Sequence, residues 1–168
     1  MNWLDVNPLD FNSLYNTERC DAGRRKFLAF GIAVAGKTTE HTVTAINKFM
    51  GWSQNLYGIT DPFNAAKIIE IIYGRHTLNE TLKLSGIGCY TQRSRSFLEA
   101  WKLLENKSLV GITIDELEEI PGVGKKTSRF FMLYNEPDQP YAALDTHVWK
   151  LIKDYRPDAP DTIPKGKA

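Results

Sequence analysis

The sequence holds little that could fix a fold by metal or by crosslink. Only two of its 168 residues are cysteine, Cys20 and Cys89. Two are too few for a four-cysteine zinc or iron–sulfur site, and in a reducing compartment they read as free thiols. The three histidines, His41, His76 and His147, fall at no metal-ligand spacing. No apolar run approaches the roughly 18 residues of a membrane span. The opening Met1 to Asp5 has no basic stretch leading into an apolar one, so an intracellular location, cytoplasm or nucleoid, is expected. Long alternation of apolar and polar residues is missing too, which argues against half-exposed strands. Nor does one sign of charge dominate. The 21 basic residues nearly balance 20 acidic ones, a net of +1 that neither announces nor excludes nucleic acid.

What is present is helical punctuation. Residues 24–34 read as a short apolar helix or strand ending near Gly36, and 38–50 as a helix with Val43, Ile46, Phe49 and Met50 near one face. Asp61-Pro62 is a helix start, Asp at the cap and Pro in the first turn, with the helix running to Gly74. Thr77 to Glu80 and Thr113 to Glu116 both have capping-box spacing. A helix from about Tyr90 to Glu105 would bury Phe97, Leu98, Trp101 and Leu104. Two more helices, about 125–135 and 146–155, flank a turn-rich link from Asn135 to Pro140. The expected class is mainly α, in one domain: a helical core over 24–110, paired helices over 112–135, a loop and helix over 136–155, and a Pro-rich tail over 156–168.

Basic residues gather in two segments. Residues 83–107 hold five against two acidic (+3), and residues 121–156 hold six against four (+2). Between them lies an acidic knot of Asp115, Glu116, Glu118 and Glu119. The same two segments contain an internal repeat at an offset of 36 residues. Leu84-Ser-Gly86-Ile-Gly88-Cys-Tyr90-Thr-Gln-Arg93 aligns with Ile120-Pro-Gly122-Val-Gly124-Lys-Lys126-Thr-Ser-Arg129. Each copy is an apolar residue, a tight turn, Gly-apolar-Gly, then a helix with Arg in its first turns. Glycines at such a turn permit positive φ and close approach of a phosphate. Val123 would pin the turn to the core, and unpaired N–H groups opening the next helix favour an anion. This is a helix–hairpin–helix pattern, a grip on a nucleic-acid backbone that positions without reading bases.

Nineteen residues after Lys126 comes Leu144-Asp145-Thr146-His147. The pairing of Ile120-Pro-Gly-Val-Gly-Lys-Lys126-Thr127-Ser with this segment resembles the endonuclease III family of helix–hairpin–helix DNA glycosylases, over about residues 25–153. That family shows Leu-Pro-Gly-Val-Gly-X-Lys-Thr-Ala and then Val-Asp-Thr-His. Ser85 to Arg93 is similar to its Gly-X-Tyr stretch, and Ala35 to Glu40 stands where it has Ser-Ala-Gln-X-Thr-Asp. The resemblance implies a helical core with a small second lobe built largely from residues 1–23. It also implies a monomer acting on double-stranded DNA with a damaged base or an abasic site. Lys126 would attack C1′ of a flipped nucleotide, a Schiff base would form, and β-elimination would cut the strand. Asp145 would stabilise the developing positive charge or take the nucleophile's proton. Lys125 and Arg129 would favour the neutral amine. Gly122, Val123, Gly124, Lys125, Thr127 and Arg129, with Gly88, Tyr90, Arg93 and Lys37, are the implied DNA contacts. A monovalent cation at the hairpin is implied as well. The family's iron–sulfur cysteines have no counterpart. Lys37 replaces its glutamine, and Cys89 its bulky apolar wedge.

Other readings compete. Taken alone, Asp145 is an ordinary helix cap and Lys126 a phosphate-touching lysine. The repeat could then be a non-catalytic tandem module that binds DNA and forms no adduct. Gly31 to Thr38 also matches G-x-x-x-x-G-K-[ST], the phosphate loop of nucleotide kinases, which requires a preceding strand, here Lys26 to Phe30. A related fold used to make modified bases is a further alternative.

Overall fold

The structure, a computed structural model, describes residues 20–34, 36–136, 141–144 and 146–161, without the side chains of Thr146 and His147. The described residues form seven helices and no strand: α1 (Asp21–Val34), α2 (Thr39–Tyr57), α3 (Pro62–Ser85), α4 (Tyr90–Leu104), α5 (Ile114–Glu118), α6 (Lys125–Asn135) and α7 (Thr146–Tyr155). The class is mainly α.

α1 lies at the centre and touches α2, α3, α4 and α6. Its residues Phe27 to Ala33 are all buried, so the helix is apolar on every side, as a core helix must be. That pattern left helix and strand equally open from sequence alone. With Lys26 to Phe30 helical, the strand that a phosphate loop needs is not there. α2 runs seven residues beyond the expected 38–50, from a Thr38 cap to Gly58, where φ is 66°. It buries Thr42, Ala45, Ile46, Phe49, Met50 and Ser53, the i, i+3, i+4, i+7 stripe of an amphipathic helix.

Asp61 caps α3 as expected, accepting the N–H of Phe63 at 2.9 Å and of Asn64 at 2.7 Å. At Gly74 the backbone leaves the helical region (φ 83°, ψ 166°), so the first helical segment ends there as expected, and a second segment continues beyond the kink to Ser85. The expected capping box at Thr77 is therefore absent: Thr77 lies inside the helix and its hydroxyl donates to the Tyr73 carbonyl. α4 packs along α3 as the most extensive helix pair. Phe97 at its middle meets Phe49 and Phe63 edge-on, with ring centres 6.1 and 5.5 Å apart. Each such buried ring contributes on the order of 2–3 kcal/mol. Trp101, expected inside, is half-buried with Lys67 over its ring.

One cation ties three helix ends. Arg25 on α1 donates to Asp21 at 2.7 Å, to the capping Asp61 at 3.4 Å, and to the Leu104 carbonyl ending α4 at 2.8 Å. A positive charge suits that carbonyl end. Partial burial works against the Asp21 carboxylate. Hydrogen bonds from Arg25, Ser108 and the Leu109 N–H outweigh it and hold its pKa below the ordinary value. The second lobe expected from residues 1–23 falls mostly on residues 1–19, outside the described residues. α7 keeps Val148, Leu151 and Tyr155 exposed.

The capping box at Thr113 is present in full. Its hydroxyl accepts the Glu116 N–H, and Glu116 accepts the Thr113 N–H at 2.9 Å. Lys107 and then Thr113 bond the Glu116 carboxylate and pull its pKa down to about 2. A depressed carboxylate stabilises the fold above its unfolded value near 4.5 and loses that contribution as pH falls through about 2. Thr113→Ala is expected to lower the unfolding free energy by about 1 kcal/mol at pH 7. In urea titrations the gap between wild type and variant should narrow as pH drops from about 4.5 toward about 2. A gap independent of pH would dissociate the cap from Glu116.

Candidate functional site

The two copies of the repeat take matching backbone shapes. In the first, Gly86 has φ 94°, Ile87 is buried, and α4 begins after Gly88 and Cys89. In the second, Gly122 has φ 85°, Val123 is buried, and α6 begins after Gly124. Both turning glycines occupy the left-handed region that other residues enter at a cost of about 1–2 kcal/mol.

The second hairpin is fitted tightly to α4. A β-carbon on Gly122 would lie 3.1 Å from Ser96 Oγ and 3.3 Å from Gln92 Nε2. The Ser96 hydroxyl donates to the Pro121 carbonyl. Gly124 differs: its backbone is extended, and a β-carbon there would meet nothing within 4 Å. The open approach to the backbone thus lies at Gly124, where no side chain caps α6. Val123, expected to offer its N–H to a phosphate, donates it to the Ile120 carbonyl at 2.9 Å; its side chain is the hairpin's anchor. The Ile120 and Pro121 carbonyls each accept one hydrogen bond, from the Val123 N–H and the Ser96 hydroxyl. Among the described residues no cluster of His, Cys, Asp or Glu could hold a metal, and both cysteines are exposed.

Glu118 on α5 holds the start of α6. Its carboxylate accepts from Ser128 Oγ and from Arg129, each at 2.7 Å. Partial burial opposes its ionisation, but those two donors keep its pKa below the ordinary value. Arg129 is therefore committed to an acidic partner, which cancels the charge expected to favour a neutral Lys126. Arg93, its counterpart in the first copy, is buried at 5% exposure beside Gly122. Burial pushes its pKa below the ordinary value. One guanidinium nitrogen would lie 3.5 Å from a β-carbon on Gly122, and the buried side chain is not displayed to a ligand. Tyr90 is half-buried beneath the Lys83 ammonium, 5.6 Å from the ring centre.

Lys125 and Lys126 are exposed at the start of α6, and Thr127 turns inward. Its methyl would be 3.4 Å from a β-carbon on Gly31, so α1 and α6 approach closely there. A cleft of about 420 Å³ opens beside this contact. It is lined by Phe30 and Val34 of α1, by Lys37 and Thr39 after it, by Lys126, Thr127, Phe130 and Tyr134 of α6, and by Ala143. Three implied site residues, Lys37, Lys126 and Thr127, thus share one space. Asp145 lies outside the described residues, two positions past Ala143. A larger cleft, of about 540 Å³, lies among Asp21, Arg25, Asp61 and Trp101, and none of the implied residues lines it.

The aromatic wall was not foreseen. Phe130 meets Tyr134 edge-on at 4.7 Å and stacks on Phe27 at 5.3 Å. The signal was available as the i, i+4 spacing of Phe130 and Tyr134. No family model, characterised protein or solved structure matches this chain.

Because the two hairpin glycines sit differently, they should respond differently. Gly122→Ala is expected to lower the unfolding free energy by about 1–2 kcal/mol. Gly124→Ala should change it by less than about 0.5 kcal/mol. Equal effects in chemical denaturation would contradict the hairpin geometry.

Proposed function

We propose that this chain is a helix–hairpin–helix DNA glycosylase with an associated abasic-site lyase activity, using Lys126 as nucleophile and Asp145 as its acidic partner. One observation carries the reading. Lys126 opens the helix that leaves the hairpin and lines an aromatic-walled cleft, toward which residues 141–144 bring the chain just before Asp145. The volume is in the range of small-ligand clefts. Phe30, Phe130 and Tyr134 offer surfaces for a base turned out of the stack. The open face at Gly124 offers backbone to a phosphate.

In the proposed reaction the Lys126 amine forms a bond to C1′ while the bond from C1′ to the base breaks. The base leaves with that electron pair and takes up a proton. Asp145 accepts the proton that the amine sheds, or steadies the positive charge on the sugar. The C1′–O4′ bond then breaks as the nitrogen lone pair forms the C1′=N bond, O4′ takes up a proton, and the opened sugar is an imine on Lys126 Nζ. Loss of a C2′ proton expels the 3′ phosphate with the C3′–O electrons, and water releases the lysine. The partner is double-stranded DNA with a damaged base or abasic site, in an intracellular repair role. The two cysteines do not fit an iron–sulfur cluster, and no step uses one.

The matching geometry of the two hairpins favours a second reading, a non-catalytic module with two backbone grips. Borohydride separates the two, because it reduces the imine and leaves a covalent protein–DNA band. A band on abasic duplex is expected for wild type, with none for Lys126→Ala despite retained binding. Asp145→Asn should slow base release at least about a hundredfold. Binding without any band in wild type would leave the module.

A further inference from the structure

We propose that the outward face of α3 is an intramolecular docking groove, and that residues 1–19 of this chain occupy it through Phe11, Leu14 and Tyr15. The groove lies at the other end of α1 from the Lys126 cleft. Asp21 opens α1 at the groove and Val34 ends it at that cleft, about 20 Å away along the helix. Docked there, residues 1–19 do not form the second lobe that the resemblance implies.

The first segment of α3, residues 62–73, is apolar on two faces. Phe63, Ala65, Ala66 and Ile69 are buried in the core, none more than 5% exposed. Asn64, Lys67, Ile68 and Ile71 follow the i, i+3, i+4, i+7 spacing of the opposite face. With Ile59 and Trp101 they line a cleft of about 460 Å³. Ile71 is 64% exposed, and Ile72 beside it 52%. A helix that is apolar all round belongs inside a protein, and α1 shows that arrangement completed. On α3, among the described residues, no element covers the outer face. A contiguous exposed apolar patch of this kind marks an interaction surface.

The charges at its border are matched within the fold. Lys67 donates to Glu70 at 3.1 Å and lies over the Trp101 ring. Arg75 donates to Glu70 at 2.8 Å, and Arg25 to Asp21 and Asp61. The groove therefore suits an apolar occupant with little charge. The point where the chain enters the described residues identifies one. Asp21 and Ala22 line the 540 Å³ cleft, which shares Asp61, Asn64 and Trp101 with the groove. Residues 1–19 thus join the fold at the groove's mouth. Their stretch 11–17 carries no charge and places Phe11, Leu14 and Tyr15 at i, i+3, i+4 spacing. Phe11 stands ten residues before Asp21. Ten residues span about 15 Å even when wound as a helix, and Asn64 to Ile71 takes up about 10 Å of α3. A tethered segment also meets its groove at high effective concentration, so a modest contact suffices. A second copy has no such tether.

Photocrosslinking of the full chain reads the occupant directly. Ile71→p-benzoylphenylalanine places the probe in the groove at an exposed position. Leu84→p-benzoylphenylalanine, at a site also 64% exposed, is the control. On irradiation the Ile71 probe should give a monomer-sized product whose adduct maps to residues 1–19, at a yield independent of protein concentration. The Leu84 probe should give no such adduct. Phe11→Asp, combined with the Ile71 probe, should lower the yield about tenfold by removing one buried ring, with the helical circular dichroism retained. A dimer-sized product, an adduct only elsewhere in the chain, or no adduct at all would overturn the docking. So would a yield that Phe11→Asp leaves unchanged in a folded protein.

Discussion

The direction in which the chain leaves residue 122 decides where the candidate nucleophile stands. Gly122 turns the backbone through the left-handed region while pressed against Ser96 and Gln92 of α4. Neither requirement tolerates a side chain. Val123 then drops into the core, and Glu118 grips Ser128 and Arg129 in the first turns of α6. Three constraints of different kinds, a backbone angle, an apolar anchor and a charged clamp, agree on one axis for α6. That axis sets where the Lys126 backbone stands. A site built this way keeps its geometry while the reactive side chain stays exposed.

The two hairpins share a shape and differ in use. In the first copy the arginine is buried beside the second hairpin, and in the second it is locked to Glu118. His41 and Lys48 meet the Gly86 and Leu84 carbonyls at the end of α3, at 3.0 and 2.9 Å. Lys48 places a cation at this helix C-terminus, where unpaired carbonyls favour one. The two aligned arginines of the basic segments are thus engaged within the fold, Arg93 by burial and Arg129 by Glu118. Gly124, Lys125, Lys126 and Lys37 are exposed, and Lys37 and Lys126 line one cleft.

Helix starts were legible wherever a cap is chemically distinctive. Asp61-Pro62 and the Thr113 box marked the starts of α3 and α5 because their capping bonds go to N–H groups two or three residues on. Interiors were harder. Gly74 was legible as a terminus, since glycine is common just past helix ends, but the helical segment that resumes beyond it and runs to Ser85 was not. Thr77 was then misread as a cap, although a hydroxyl inside a helix can bond the carbonyl four residues back. The arginines failed for another reason. Spacing aligned Arg93 with Arg129, but burial and an acidic partner come from α5 and from the hairpin fit, which spacing does not encode. The contact of Lys37 with Gly88 joins residues 51 positions apart, and only the fold brings them together.

The cleft follows from the packing of α1 on α6. α1 is apolar all round and must be enclosed, yet its C-terminal end breaks off at a turn with Gly36 at φ 77°. Gly31 lets Thr127 approach closely, and further along the same interface Phe130 stacks on Phe27 and meets Tyr134 edge-on. A small residue at one end of the interface and rings at the other form a wedge, and a wedge between two rigid helices leaves a gap. Lysines border that gap because the chain leaves the core on both of its sides, after α1 and before α6. An apolar gap bordered by ammonium groups matches a ligand that is flat and apolar at one end and anionic at the other. A nucleotide has that distribution of chemistry, and the hairpin geometry supplies an independent reason to expect one.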